Sequence, residues 1–318
     1  MKLARILATG LISLSAIGAY AQDISFGIIA TDSASAQRER WEPFFRDMEK
    51  KTGLKIQSFY APDYAGVIEA MRFNKIQVAW LGAKAALESV DRAEGEVFAQ
   101  FIDQAGQSGY TSVIITHRDS RVRTIEDMFT QAKELSFGIG DPQSTSGTLV
   151  PTCELFAPRG LDVRRMFRIT RSSTHGGNLL AVINRQIDVA TNYSVGLEKM
   201  RTANPAAYAQ VRVLWTSQPI PADPIVWRRD LPESTKRKIS AFLFGYGKDE
   251  REKAILAGLQ QAAGFRPSDN RQLIAVRRTS LLLEKFRVKS DPDLSPAERA
   301  ARLEVLERRE VELEQTAR

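Results

Sequence analysis

Apolar and polar positions alternate along the chain in short strand-like runs separated by longer helix-like ones. Asp23-Ile24-Ser25-Phe26-Gly27-Ile28-Ile29 predicts a first strand. Trp41, Phe44, Phe45 and Met48 then recur at helical spacing with charged residues between them, and Thr52-Gly53 closes that helix. Residues 54–59 predict a second strand, Asp63 caps a helix carrying Val67, Ile68 and Met71, residues 76–80 predict a third strand and 83–93 a third helix. Such β-α-β-α-β alternation predicts a parallel sheet with helices on its faces. In such sheets ligands bind at the carboxyl ends of the strands, where Tyr64, Leu81 and Gly82 stand.

The pattern then starts again. Residues 97–102 and 112–116 predict two more strands, with Tyr110 just ahead of the second. A new run follows: strand 135–139, a helix opening at Ser144, strand 166–169, a helix from about 178 to 184, and strands 187–191 and 211–215. The reading is two successive α/β lobes, with crossings near 116–121 and 220–227. Lobe 1 is assigned residues 22–117 plus 223–318, and lobe 2 residues 118–222. The chain after Trp227 reads as helical and returns to the first lobe. Residues 292–318 form a charged helix with Leu303, Val305, Leu306 and Leu313, either lying on a lobe or serving as a homodimer contact.

The first residues change the compartment. Met1-Lys2-Leu3-Ala4-Arg5 is cationic, 6–17 is mostly apolar, and Ala19-Tyr20-Ala21 has the form of a cleavage site. This is the layout of a secretory signal peptide, residues 1–21. Its apolar run is short of the ~20 residues a bilayer span needs. Cleavage after Ala21 removes Lys2 and Arg5, taking the formal charge of +7 for 318 residues down by two. The mature chain, starting at Gln22, is expected in the periplasm. No basic stripe interleaved with aromatics appears, so nucleic acid is not an expected partner. A mild positive field helps to gather anions.

Candidate chemistry centres on Phe137-Gly138-Ile139-Gly140-Asp141-Pro142-Gln143-Ser144-Thr145-Ser146-Gly147-Thr148-Leu149. Gly138 and Gly140 permit close backbone approach or positive φ. Asp141-Pro142 marks a turn. Ser144, Thr145 and Ser146 stand where a helix begins, a place with unpaired N–H groups and partial positive charge. Two readings fit: ordinary helix capping, or a site for a small oxyanion. Cys153, the single cysteine, sits among Leu149, Val150, Leu155 and Phe156 and reads as a structural thiol. Two histidines without paired spacing do not build a zinc site, and no nucleophile elbow, Walker loop or dinucleotide fingerprint is present. No metal and no cofactor is expected. Two lobes, two crossings and a leader describe a receptor that closes on a ligand, with an exported two-lobed enzyme as the alternative.

Five stretches carry a resemblance: Ala61-Pro62-Asp63-Tyr64-Ala65-Gly66, Met71-Arg72-Phe73-Asn74-Lys75, Gly140-Asp141-Pro142-Gln143-Ser144-Thr145-Ser146-Gly147, Asp188-Val189-Ala190-Thr191-Asn192 and Ile220-Pro221-Ala222-Asp223-Pro224-Ile225-Val226-Trp227. In this order, from about Ile24 to Arg278, the chain resembles the phosphonate-binding periplasmic proteins of ABC transporters. The resemblance implies a type II periplasmic-binding-protein fold with ligand between the lobes, capture of phosphonate-type oxyanions and delivery to an inner-membrane permease. It implies that Ser144, Thr145, Ser146 and His175 hold the phosphonate group. Tyr64 and Tyr110 match pocket tyrosines, and Asp223 matches the aspartate that meets the ammonium of aminoethylphosphonate. Two positions depart: Val195 stands where the family has a glutamate, the second partner of that ammonium, and Leu81 where it has an aromatic residue. A charge-assisted hydrogen bond is worth about 1.5–3 kcal/mol, so losing one carboxylate corresponds to one to two orders of magnitude in affinity for an amino-phosphonate. Val195 as an apolar wall favours an alkyl phosphonate, phosphite or phosphate instead, unless Glu198 leans in. The competing function is an exported phosphoester or phosphonate hydrolase, which would need a metal or an activated nucleophile such as Ser144 or Thr145 beside His175.

Overall fold

The structure is a computed structural model and describes residues 23–103 and 109–316. The expected leader therefore lies outside the described residues. The chain opens with β1 (Asp23–Ile28), α1 (Ala34–Thr52), β2 (Lys55–Tyr60), α2 (Tyr64–Arg72), β3 (Val78–Trp80), α3 (Ala83–Arg92) and β4 (Gly95–Asp103). β1 pairs in parallel with both β2 and β3, the arrangement the alternation predicts. Ser33 and Asp63 cap α1 and α2 by accepting from Ala36 N and Gly66 N. Short polar side chains do this because the first N–H groups of a helix have no partner within it. Trp41 stacks on Phe45 and lies 5.5 Å from Trp80, ring centre to ring centre, with Phe26 against both Trp41 and Phe45. These aromatic rings fix α1 against the sheet and carry that sheet's core up to the cleft.

The chain then crosses through β5 (Gly109–Tyr110) into β6 (Ser112–His117), α4 (Ile125–Thr130) and β7 (Ser136–Ile139). A helical run over residues 145–159 follows, then α5 (Val163–Met166), β8 (Ile169–Ser172), α6 (His175–Ile183), β9 (Val189–Tyr193), α7 (Ser194–Ala203), α8 (Pro205–Tyr208) and β10 (Val211–Thr216). It returns through β11 (Ile220–Pro221) to β12 (Pro224–Arg228), α9 (Glu233–Gly245), α10 (Glu250–Gln260), β13 (Ala262–Pro267), α11 (Ile274–Ser290) and α12 (Pro296–Thr316). The first lobe's sheet has the order β13-β4-β12-β3-β1-β2 and the second lobe's sheet the order β10-β6-β9-β7-β8. β5 and β11, the two crossing segments, pair with each other antiparallel.

Three expectations are corrected here. β6 pairs with β9 and β10, so the first crossing precedes Ser112 and does not lie at 116–121; residues 112–117 belong to lobe 2. Residues 163–166 are a helical turn and the strand there is Ile169–Ser172, because Asp162 caps Arg164 N and turns the chain first. The segment after Trp227 is not helical throughout: β13 adds an edge strand to β4. Leu306 and Leu313 of α12 pack with Leu281 of α11 in the same chain, leaving Val305 and Val311 exposed. The apolar face that a dimer contact would have used is thus turned inward.

Candidate functional site

The starts of α2, α3, α6 and the 145–159 run come together between the two sheets. A helix start carries about half a positive charge and free N–H donors, so their convergence favours an anion without any strongly basic side chain. These starts interlock across the cleft. Lys84 N, in the first turn of α3, donates to Thr145 Oγ1 at 2.9 Å. Tyr64 N, at the start of α2, donates to Asp141 Oδ2 at 3.1 Å. Lys84 Nζ donates to the Pro142 carbonyl, and Gly176 N to the Thr31 carbonyl at 3.0 Å. The lobes are therefore in direct contact around the site.

The turn after β7 is shaped by two glycines. A Cβ at Gly140 would stand 2.6 Å from Gly147 Cα, so here glycine serves close approach of two backbones. Gly140 N donates to the Gly147 carbonyl at 3.0 Å, and Thr191 Oγ1 donates to the same carbonyl at 2.8 Å. Ser144 caps the helical run by accepting from Gly147 N at 2.9 Å. The run winds as π-helix over Thr145–Leu149 and again over Thr152–Phe156, with Leu149 N reaching back to the Ser144 carbonyl at 3.1 Å. π-turns recur at functional sites, where they re-aim side chains and free backbone groups.

Ser144, Thr145, Ser146 and His175 are all buried. His175 is the first residue of α6, capped by Thr174. Its Nε2 lies 3.2 Å from Ser144 Oγ and 3.5 Å from Ser146 Oγ, while Nδ1 is buried without a partner among the described residues. Asn192 Nδ2 donates to the His175 carbonyl at 2.8 Å and fixes that turn. Burial, with the charge of Lys199 adding to it, pushes the imidazole down to about 3. The ring is therefore neutral, with one donor and one acceptor nitrogen.

The remaining expected residues border the same cleft. Tyr64 stands near Ser144, and Tyr110 near Ser146 and Asp223. Asp223 Oδ2 accepts from Trp80 Nε1 at 3.2 Å, while Oδ1 is buried without a partner among the described residues. Burial raises the Asp223 carboxyl to about 7, against the opposing pull of Tyr110, Trp80 and Lys199. Val195 lines the adjoining cavity. Glu198 does not substitute for the missing carboxylate: Arg201 Nε donates to it at 2.8 Å, and its Nη2 donates to it too. Leu81 is fully buried.

Two contributors were not anticipated. Tyr193, at the carboxyl end of β9, lays its ring 4.4 Å from that of His175 and edge-on to Tyr110 at 6.2 Å, with its hydroxyl toward Thr31 of the opposite lobe. Lys199, half-buried on α7, is pushed down to about 7 by burial and by Arg40, against Asp32 and Asp223. The position of Tyr193 at a strand's carboxyl end was the available signal; nothing local marks Lys199. Cys153 Sγ donates to the Thr279 carbonyl at 3.3 Å, and burial holds its thiol at about 12, so it is not an activated nucleophile. Among the described residues no group of three His, Cys, Asp or Glu could hold a metal ion, and no helix is long and apolar enough to cross a membrane.

Comparison with known proteins bears on this geometry. A family model described as ABC transporter, phosphonate, periplasmic substrate-binding protein matches residues 26–273. The chain is 45% identical over 279 residues to the phosphonates-binding periplasmic protein of Escherichia coli (strain K12), covering 88% of this chain and 82% of that one. It superimposes on the binding-protein component of an ABC phosphonate transporter from Pseudomonas aeruginosa with a TM-score of 0.90 at 43% identity, over 93% of this chain and 98% of that one. PhnD1 from Prochlorococcus marinus, solved in complex with methylphosphonate, shares the fold at a TM-score of 0.72 and 17% identity, over 83% and 99% of the two chains.

Proposed function

Since the chain belongs to the phosphonate-binding periplasmic proteins of ABC transporters, we propose that it holds the oxyanion of its ligand at the start of the 145–159 helical run and presents the closed complex to the membrane permease. The protein is the periplasmic phosphonate-binding component of such a transporter. What carries the proposed site is the meeting of Ser144, Ser146 and His175 within 3.5 Å, at a point where helix starts from both lobes converge. Hydroxyls, backbone N–H groups and a neutral imidazole donate to the phosphonate oxygens. Hydrogen bonds to a charged acceptor are the strong ones, so several suffice without a lysine or arginine.

In this reading Tyr64, Tyr110 and Asp223 surround the substituent, with Val195 as its wall. Closure brings Lys84 to Thr145 and Tyr64 to Asp141, so the ligand need only tip a set of contacts that the lobes already make. In this reading no bond is broken, as suits relatives that are substrate-binding proteins of transporters. Export and cleavage after Ala21 belong to the same reading. A dimer through α12 would have to use Val305 and Val311, the apolar residues left outside.

The test is a fluorescence titration of the mature protein with methylphosphonate, phosphite, phosphate and sulfate, together with a chromogenic phosphonate ester. Saturable binding of the phosphorus oxyanions in preference to sulfate, with no ester turnover, is expected. Turnover, or indifference to all three phosphorus oxyanions, would contradict the reading.

A further inference from the structure

Two glycines follow His175 at the start of α6, and the opposite lobe accounts for the first of them. Gly176 is helical and has no positive φ, so its backbone does not call for glycine. The three nearest atoms that a Cβ there would meet all belong to Asp32 of lobe 1: Oδ1 at 2.4 Å, Cγ at 2.8 Å and Oδ2 at 3.3 Å. Gly176 N donates to the neighbouring Thr31 carbonyl at 3.0 Å. The main chain of α6 therefore lies directly on the loop between β1 and α1, one residue away from His175.

That loop is held from within its own lobe. Gln37, itself buried, donates from Nε2 to Thr31 Oγ1 at 2.7 Å and to the Ile29 carbonyl at 2.9 Å. Asp32 Oδ2 accepts from Arg40 Nη2 at 2.7 Å, and Oδ1 accepts from Ser33 N at 2.9 Å. Swinging the carboxylate aside would break an ion pair and a hydrogen bond together. On the other face, Asn192 Nδ2 holds the His175 carbonyl at 2.8 Å. Two braced surfaces meet here, and such a contact sets how near His175 comes to the opposite lobe. The carboxylate also stands at the partially positive end of α6, a favourable place for an acid.

We propose that Thr31 and Asp32 form the seat on which α6 comes to rest as the lobes close, and that residue 176 is glycine so that the seat can be reached. Asp32 is then a positioning residue for ligand retention, acting through His175 and not on the ligand. This rests on the reading of His175 as a holder of the oxyanion. In the open protein a methyl at 176 has no Asp32 to strike. An alanine there penalises the closed state alone, while being the better helix former.

The experiment is calorimetric titration and stopped-flow displacement with methylphosphonate and 2-aminoethylphosphonate, on the mature parent, Gly176→Ala, Asp32→Ala and the double variant. Gly176→Ala should bind both ligands about 10- to 100-fold more weakly, as expected of an overpacked contact. The factor should be the same for both, since the seat lies away from the substituent, and it should appear in the dissociation rate. The melting temperature of the ligand-free variant should equal or exceed the parent's. Asp32→Ala should stay within about fivefold of the parent, and adding Gly176→Ala to it should cost nothing further, because the obstructing carboxylate is gone. Parent-like affinity in Gly176→Ala overturns the proposal. So does a loss that persists in full in the double variant, or one matched by a lowered ligand-free melting temperature, since either places the damage in α6 itself. These outcomes leave the oxyanion reading standing. Failure of the parent to bind either phosphonate overturns both.

Discussion

Ser144 Oγ and His175 Nε2 lie 3.2 Å apart, one at the start of the helical run after β7 and the other at the start of α6. Two helix starts are thereby locked to one point, and each keeps its cap: Ser144 on Gly147 N, Thr174 on Gly177 N. The pair is neutral, since burial holds the imidazole at about 3. In the proposed function an anion arriving there finds hydroxyl, imidazole and backbone donors, with the Lys199 charge within reach of the ring.

The pH dependence of stability follows from two buried groups with opposite signs. His175 titrates at about 3 when folded and near 6.5 when unfolded, so the unfolded chain takes up its proton first and stability is lost as pH falls through that window. Asp223 titrates at about 7 when folded and near 3.8 when unfolded, so its protonation stabilises the fold at low pH and that stability is lost as pH rises toward 7. Between about pH 4 and 6.5 the two offset each other. His175→Gln should make thermal stability rise on acidification in this window, and Asp223→Asn should make it fall more steeply than in the parent. Scanning calorimetry at pH 4, 5, 6 and 7 checks both signs.

Gly140→Ala should damage the site through the backbone. The added methyl would meet Gly147 Cα at 2.6 Å, and main chain cannot step aside as a flexible side chain can. Overpacking of this kind costs about 1–3 kcal/mol. A lowered melting temperature with loss of phosphonate binding is expected. Unchanged binding would mean that the Gly140–Gly147 contact does not shape the anion site.

Tyr193→Phe removes the hydroxyl turned toward Thr31 of the other lobe while keeping the ring on His175. One hydrogen bond of about 0.5–1.5 kcal/mol corresponds to a few-fold to about tenfold weaker binding. The loss should appear in the dissociation rate, since the contact forms when the lobes are together. Stopped-flow displacement of bound methylphosphonate measures it.

Cys153 should be slow toward a disulfide reagent at pH 8. Its thiol lies at about 12 and donates to Thr279, so little thiolate is present. Rapid labelling of the native protein would contradict this environment.

Much of the fold was legible because β1 to β4 carry a local pattern. Apolar alternation and capping residues such as Asp63 state where a strand or helix begins. Partner choice is not local: the 112–117 segment reads as a strand in either lobe, and only its pairing with β9 and β10 places it. β13 escaped because Ala-Ala-Gly-Phe-Arg-Pro has no alternation and takes its strand form from β4. In the site, the Ser144-Thr145-Ser146 start was visible from its hydroxyls. The π winding was not, because it depends on the Gly140–Gly147 contact and on Thr191 from another strand. Lys199 was invisible for the same reason: the charges it feels, those of Arg40, Asp32 and Asp223, stand on other elements.

The central claim is that the start of the 145–159 run holds the oxyanion. Calorimetric titration of methylphosphonate into the mature protein and into Ser144→Ala tests it most directly. The parent should bind with one site, and the variant should bind about 10- to 100-fold more weakly, as expected for a lost hydrogen bond to a charged group. The variant's fold should survive, because losing one cap costs only about 1 kcal/mol. Equal affinity in a folded Ser144→Ala protein would place the anion elsewhere and contradict the account.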